Sequence, residues 1–98
     1  MVMKARKIFV VIAYDITSSK NRNRIAKLII KHGGRVNLSV FECMLTDSQF
    51  EKLRGRIAKL VNAKTDQVAY YVLCLDCYTK IIYEPERKRK DISSSDVV

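Results

Sequence analysis

The chain has 98 residues, enough for one domain and too few for a second hydrophobic core. A hydrophobic share of 48% excludes a wholly disordered chain, and the apolar run Ile8 to Tyr14 is far too short to span a membrane. The net charge of +9 is unevenly placed: residues 1–37 hold nine Lys and Arg against a single acid, Asp15. Positive charge at that density attracts polyanions through counterion release, so nucleic acid is the first partner to consider.

In chain order, IFVVIAY at Ile8 to Tyr14 is β-branched and aromatic without alternation, the pattern of a central strand covered on both faces. Asp15 and the polar Thr17-Ser18-Ser19 follow, supplying N-cap oxygens for a helix from Lys20 to His32. Ile25, Leu28, Ile29 and His32 mark its buried face, while Lys20, Arg24, Lys27 and Lys31 fall together opposite. Gly33-Gly34 is expected to end the helix by permitting positive φ. Arg35 to Leu45 reads as two short strands with a reversal near Phe41 to Cys43.

Thr46 and Gln49 stand at capping-box spacing and start a second helix running to about Asn62, with Phe50, Leu53, Ile57, Leu60 and Val61 as its stripe. Gln67 to Leu75 is another continuous β run, and Cys77 to Tyr83 reads as a fifth strand. Residues 1–83 thus form an α+β, ferredoxin-like βαββαβ sandwich: an antiparallel sheet with two helices on one face and an additional C-terminal strand. Residues 84–98, with Pro85, a basic run and three serines, read as a charged tail that is flexible or docks on a partner. Strands apolar on both sides need cover on the face without helices, and a homodimer mate is the simplest one.

Three constellations carry chemistry. Asp15, at the end of an apolar strand, is either an Asx turn or cap beside Thr17-Ser18, or a ligand for a hard cation. Arg22 and Arg24 at the start of the first helix and Arg35 just past its end suit phosphate, although an ordinary charged helix face has the same composition. Ser39-Val40-Phe41 taken alone is strand packing.

Together with Gly33, Glu42, Asp66 and Tyr70 to Cys74, these residues stand in the order and spacing of one family. Over residues 6–83 the chain resembles the small CRISPR-associated endonuclease family of the spacer-acquisition module, the dimeric partner of the CRISPR integrase. The resemblance rests on Tyr14-Asp15-Ile16 together with Ser39-Val40-Phe41-Glu42. It implies a metal-dependent endonuclease acting on single-stranded RNA or double-stranded DNA, and a structural dimer bridging the integrase and the DNA to be inserted. It also implies that Asp15 is the metal-binding catalytic residue with Tyr14 beside it, and that Arg22, Arg24, Arg35 and Phe41 form the nucleic-acid-binding set.

The expected mechanism is phosphodiester hydrolysis by one Mg²⁺ shared between the two Asp15 residues of a dimer, the arginines gripping flanking phosphates. His32 reads as a packed residue rather than a base. Zinc is disfavoured, because Cys74 and Cys77 supply two ligands and would need Cys43 or His32 to converge on them. Three cysteines without a secretory signal argue against a disulfide framework and for a cytoplasmic protein away from membranes.

The rival readings are a non-catalytic nucleic-acid-binding scaffold and a toxin-type ribonuclease of related fold. An RNA-recognition domain would need an aromatic motif that Phe41-Glu42-Cys43-Met44 lacks, and a small-ligand regulatory domain would need a glycine-rich loop.

Overall fold

A computed structural model of the chain describes residues 6–84. Its elements are β1 (Lys7–Asp15), α1 (Ser19–Ile29), β2 (Gly33–Asn37), β3 (Val40–Thr46), α2 (Asp47–Ala58), β4 (Gln67–Leu73) and α3 (Leu75–Thr79). The four strands form one antiparallel sheet in the order β2-β3-β1-β4, the ferredoxin-like arrangement. The tail assigned to residues 84–98 lies outside the described residues beyond Glu84, and so do Lys4 and the rest of residues 1–5.

Alternation along β1 divides the sheet into two faces. Val10, Ile12 and Tyr14, together with Phe41, Cys43 and Leu45 of β3, pack under Ile25 and Ile29 of α1 and Leu53 and Ile57 of α2. These side chains are almost wholly removed from water and make the main core. Phe9, Val11, Ala13 and Asp15 face the other way. There a smaller cluster joins Phe9 and Met44 to Leu73, Tyr78 and Ile81.

Several boundaries differ from expectation. The segment read as a fifth strand, Cys77 to Tyr83, forms the last residues of α3 and a following stretch without a strand. The Cys74 Sγ accepts from the Cys77 N–H at 3.3 Å, the Thr79 hydroxyl donates to the Asp76 carbonyl at 2.7 Å, and Lys80 pairs with Asp76 at 3.0 Å. These local bonds, with the Tyr78 ring 4.5 Å from that of Phe9, override the β propensity of the segment. The face expected to be bare is therefore partly covered by the chain itself.

The β2–β3 reversal falls at Leu38-Ser39 rather than Phe41 to Cys43, because Asn37 Oδ1 accepts the Ser39 N–H at 3.0 Å and closes an Asx turn. Helix α1 ends at Ile29, before His32, and α2 ends at Ala58 rather than Asn62, with Leu60 and Val61 in turns that still pack on the core. Gly33 is not a positive-φ cap. It opens β2, and a Cβ there would collide with the Glu42 carbonyl oxygen and stand 2.7 Å from Cys43 Cα, so it permits close approach of two strands. The Thr46–Gln49 capping box forms as read, with reciprocal bonds of 2.8 and 3.1 Å. Among the described residues no helix is long and apolar enough to cross a membrane.

Candidate nuclease and nucleic-acid site

Asp15 closes β1 opposite Gln67 of the edge strand β4, and it is exposed. It stands on the sheet face without α1 and α2, at the end of the row Phe9, Val11, Ala13. Tyr14 points the opposite way into the helix-side core, where it is 6% exposed. Its hydroxyl donates to the Leu38 carbonyl at 3.2 Å, its N–H donates to the Ser39 carbonyl at 3.0 Å, and its ring stacks 6.1 Å from Phe41. The two residues are thus neighbours in sequence that do not converge. Tyr14 ties the end of β1 to the β2–β3 turn, and Asp15 is left at the rim.

The loop after Asp15 is braced from two sides. Arg22 reaches back from the first turn of α1 and donates to the Ile16 carbonyl at 3.1 Å. From the α2–β4 loop, Asp66 accepts the Thr17 N–H at 2.9 Å through one oxygen and the Asn62 N–H at 2.9 Å through the other. The Thr65 hydroxyl adds a bond at 3.1 Å, and Thr17 Oγ1 donates to the Thr65 carbonyl at 3.3 Å. The N–H of Thr17, then that of Asn62, hold the Asp66 carboxyl below its ordinary value. With both oxygens engaged, Asp66 positions the loop. Its signal in the sequence is an acid among Asn62, Thr65 and the start of a strand, a setting that favours side-chain bonds to backbone N–H groups.

The arginines separate. Positions 22 and 24 of a helix lie about 200° apart, so Arg22 turns toward the Asp15 loop while exposed Arg24 joins the stripe of Lys20, Lys27 and Lys31. Arg35 stacks its guanidinium 5.1 Å above the Phe41 ring and, with Ala26, Lys27, Ile30 and Phe41, lines a depression of about 320 Å³. Phe41, expected in the nucleic-acid-binding set, is wholly buried, because the odd-numbered positions of β3 face the helices. Its ring supports Tyr14 and Arg35 from inside.

His32 sits in the turn after α1, beside Lys31, Leu53 and Arg56 in a cleft of about 150 Å³. Burial, then the charges of Lys31 and Arg56, push its pKa down. Cys43 lies in the helix-side core, whereas Cys74 and Cys77 are exposed beyond the end of β4. Among the described residues no three His, Cys, Asp or Glu side chains converge on one point. Asp15 by itself offers a single carboxylate, whereas Mg²⁺ is held by one or two carboxylates with water and phosphate oxygens in its remaining positions.

The model of the family described as CRISPR associated protein Cas2 matches residues 8–81. A CRISPR-associated endoribonuclease Cas2 of Thermus thermophilus is 43% identical over 68 residues, covering 69% of this chain and 72% of that protein. The crystal structure of Streptococcus pyogenes Cas2 superposes with a TM-score of 0.68 at 29% identity, covering 74% of this chain and 94% of that one. A chain of a partial Cas6-RT-Cas1–Cas2 complex gives a TM-score of 0.65 at 26% identity, over 76% of this chain and 87% of its own length.

Proposed function

The chain belongs to the CRISPR-associated Cas2 family, and from that membership we propose a Mg²⁺-dependent endonuclease of spacer acquisition that works as a homodimer and joins the CRISPR integrase to DNA. The observation that carries this reading is the position of Asp15 on the sheet face that keeps an apolar strip, Val11, Ala13, Val40, Ala69 and Tyr71. A second copy packed on that face brings a second Asp15 toward the first and completes a two-carboxylate site. The Thermus relative named an endoribonuclease and the relative found in a Cas1–Cas2 complex support the two parts of the role. The cytoplasm, where free thiols persist, fits the three unpaired cysteines.

A bound Mg²⁺ supplies charge neutralisation at the scissile phosphate and activation of water. The chain's own residues do the positioning. Asp15 would hold the cation, Arg22 and Asp66 fix the loop that follows it, and the Lys20, Arg24, Lys27 and Lys31 stripe attracts the polyanion. A non-catalytic scaffold is the second reading, favoured by the lone Asp15 and by the burial of Tyr14 away from it. The two are separated by labelled single-stranded RNA and double-stranded DNA incubated with wild type and with Asp15→Ala. Mg²⁺-dependent cleavage should co-purify with the wild type and fall at least about 100-fold in the variant. Cleavage that persists in Asp15→Ala, or that never tracks the protein, leaves the scaffold.

A further inference from the structure

Strand β4 ends at Leu73, and Cys74 continues in extended backbone, φ −73° and ψ 161°, as the cap of α3. One turn later Cys77 brings its sulfur to 3.0 Å from that of Cys74. Both thiols are exposed, while Cys43 is buried in the core with its thiol pushed up to about 12 by burial and then by Glu42. Either thiol of the exposed pair can donate. With Cys74 ionised, Cys77 donates to it, and that bond with the Cys77 N–H lowers the Cys74 pKa while the same contact raises Cys77. The pair therefore offers one activated sulfur and one held in reserve beside it.

The segment beyond the pair covers part of the outer sheet face. The Tyr78 ring lies 4.5 Å from Phe9, and the Tyr83 hydroxyl is 2.8 Å from both carboxylate oxygens of Glu42. The Tyr78 N–H donates to the Cys74 carbonyl at 3.1 Å and the Lys80 N–H to the Cys77 carbonyl at 3.1 Å. The turn between the two cysteines is thus the hinge from which this cover hangs.

We propose that Cys74 and Cys77 form a reversible intrachain disulfide by exchange with a low-molecular-weight disulfide such as oxidised glutathione, and that its closure secures the turn that seats Tyr78 on Phe9. The Cys74 thiolate attacks one sulfur of the small disulfide, forming a mixed disulfide and expelling a thiolate. Cys77 then loses its proton to solvent and attacks the Cys74 sulfur, expelling the second thiolate. Two electrons pass from the cysteine pair to the small disulfide, which leaves as two thiols. A disulfide bond is about 2.05 Å long, so the sulfurs need to approach by only about 1 Å, a change within reach of side-chain rotation. A ring closed over so few residues gains little chain entropy, which leaves the pair exchangeable rather than permanently oxidised. The exchange chemistry is independent of the nuclease reading.

The test treats the reduced full-length chain with oxidised glutathione and reads intact mass, the linked peptide and amide hydrogen exchange. The wild type should lose two hydrogens, retain no glutathione, yield a Cys74–Cys77 peptide and revert with dithiothreitol, Cys43 remaining unmodified. Cys77→Ser should instead accumulate glutathione on Cys74. Retained glutathione on the wild type, chain-to-chain disulfides, or the absence of any reaction each overturns the proposal. Exchange at the Tyr78 and Lys80 amides should slow at least about tenfold on oxidation. Unchanged exchange overturns the securing role while leaving the pairing to the mass data.

Discussion

At the residue scale, a strand's period of two decides more than sequence adjacency does. Tyr14 and Asp15 are consecutive, yet one is buried against Phe41 and the other stands at the open rim. Phe41 follows the same rule on β3. Asp66 shows the complementary case, a surface acid whose two oxygens are consumed by backbone donors and which therefore builds the site without entering it. His32 has a folded pKa below its ordinary 6.5, chiefly through burial. The unfolded chain then binds the proton more readily, so stability is present above about pH 6.5 and is lost as pH falls below it toward the folded value. A thermal melting series across about pH 7.5 to 5.5 should show a steeper loss for wild type than for His32→Gln. Parallel curves would mean that another group sets the acid limb.

At the element scale, the outcome depends on whether local and tertiary preferences agree. For α2 they agree. Thr46 and Gln49 satisfy each other's backbone donors, and Leu53 and Ile57 meet the sheet at helical spacing. Thr46→Ala should lower stability by about 1 kcal/mol in chemical denaturation, the ordinary cost of an N-cap lost at a helix start, with no change in cleavage. A loss under about 0.3 kcal/mol would show that packing alone carries this helix. For residues 75–83 the preferences conflict. Cys77 to Tyr83 has strand composition, but Cys74 caps a helical turn and Phe9 offers Tyr78 an aromatic surface. Composition yields there because the receiving surface comes from β1, at the opposite end of the folded unit in sequence.

At the scale of the whole molecule, the question is what covers the sheet face opposite α1 and α2. Its Phe9 and Met44 end is covered by Tyr78 and Ile81, whereas Tyr71 remains 56% exposed beside Val11. A face of that kind with Asp15 at its edge is where a second copy belongs in the proposed dimer. Tyr71→Glu should weaken dimerisation more than about tenfold in sedimentation equilibrium, since two-fold symmetry places the charge in the interface twice. Unchanged association would move the interface off this face and remove the second Asp15 from the site.

Legible in the sequence alone were the order βαββαβ, the central strand Ile8 to Tyr14, the capping box at Thr46, and the family resemblance carried by residues around Asp15 and Ser39 to Glu42. Periodicity, caps and motif spacing are local properties, and a chain states them without folding. The strand ends, the turn at Leu38-Ser39, the strand contact that requires Gly33, the clamp from Asp66 to Thr17 and the conversion of a fifth strand into α3 were decided by the tertiary structure. Each depends on a partner distant in sequence or on a competition between two local choices, and only packing reveals which groups meet. Asp15 belongs to both: its residue type and setting are written in the chain, and its place on the open face exists only once β1 lies between β3 and β4.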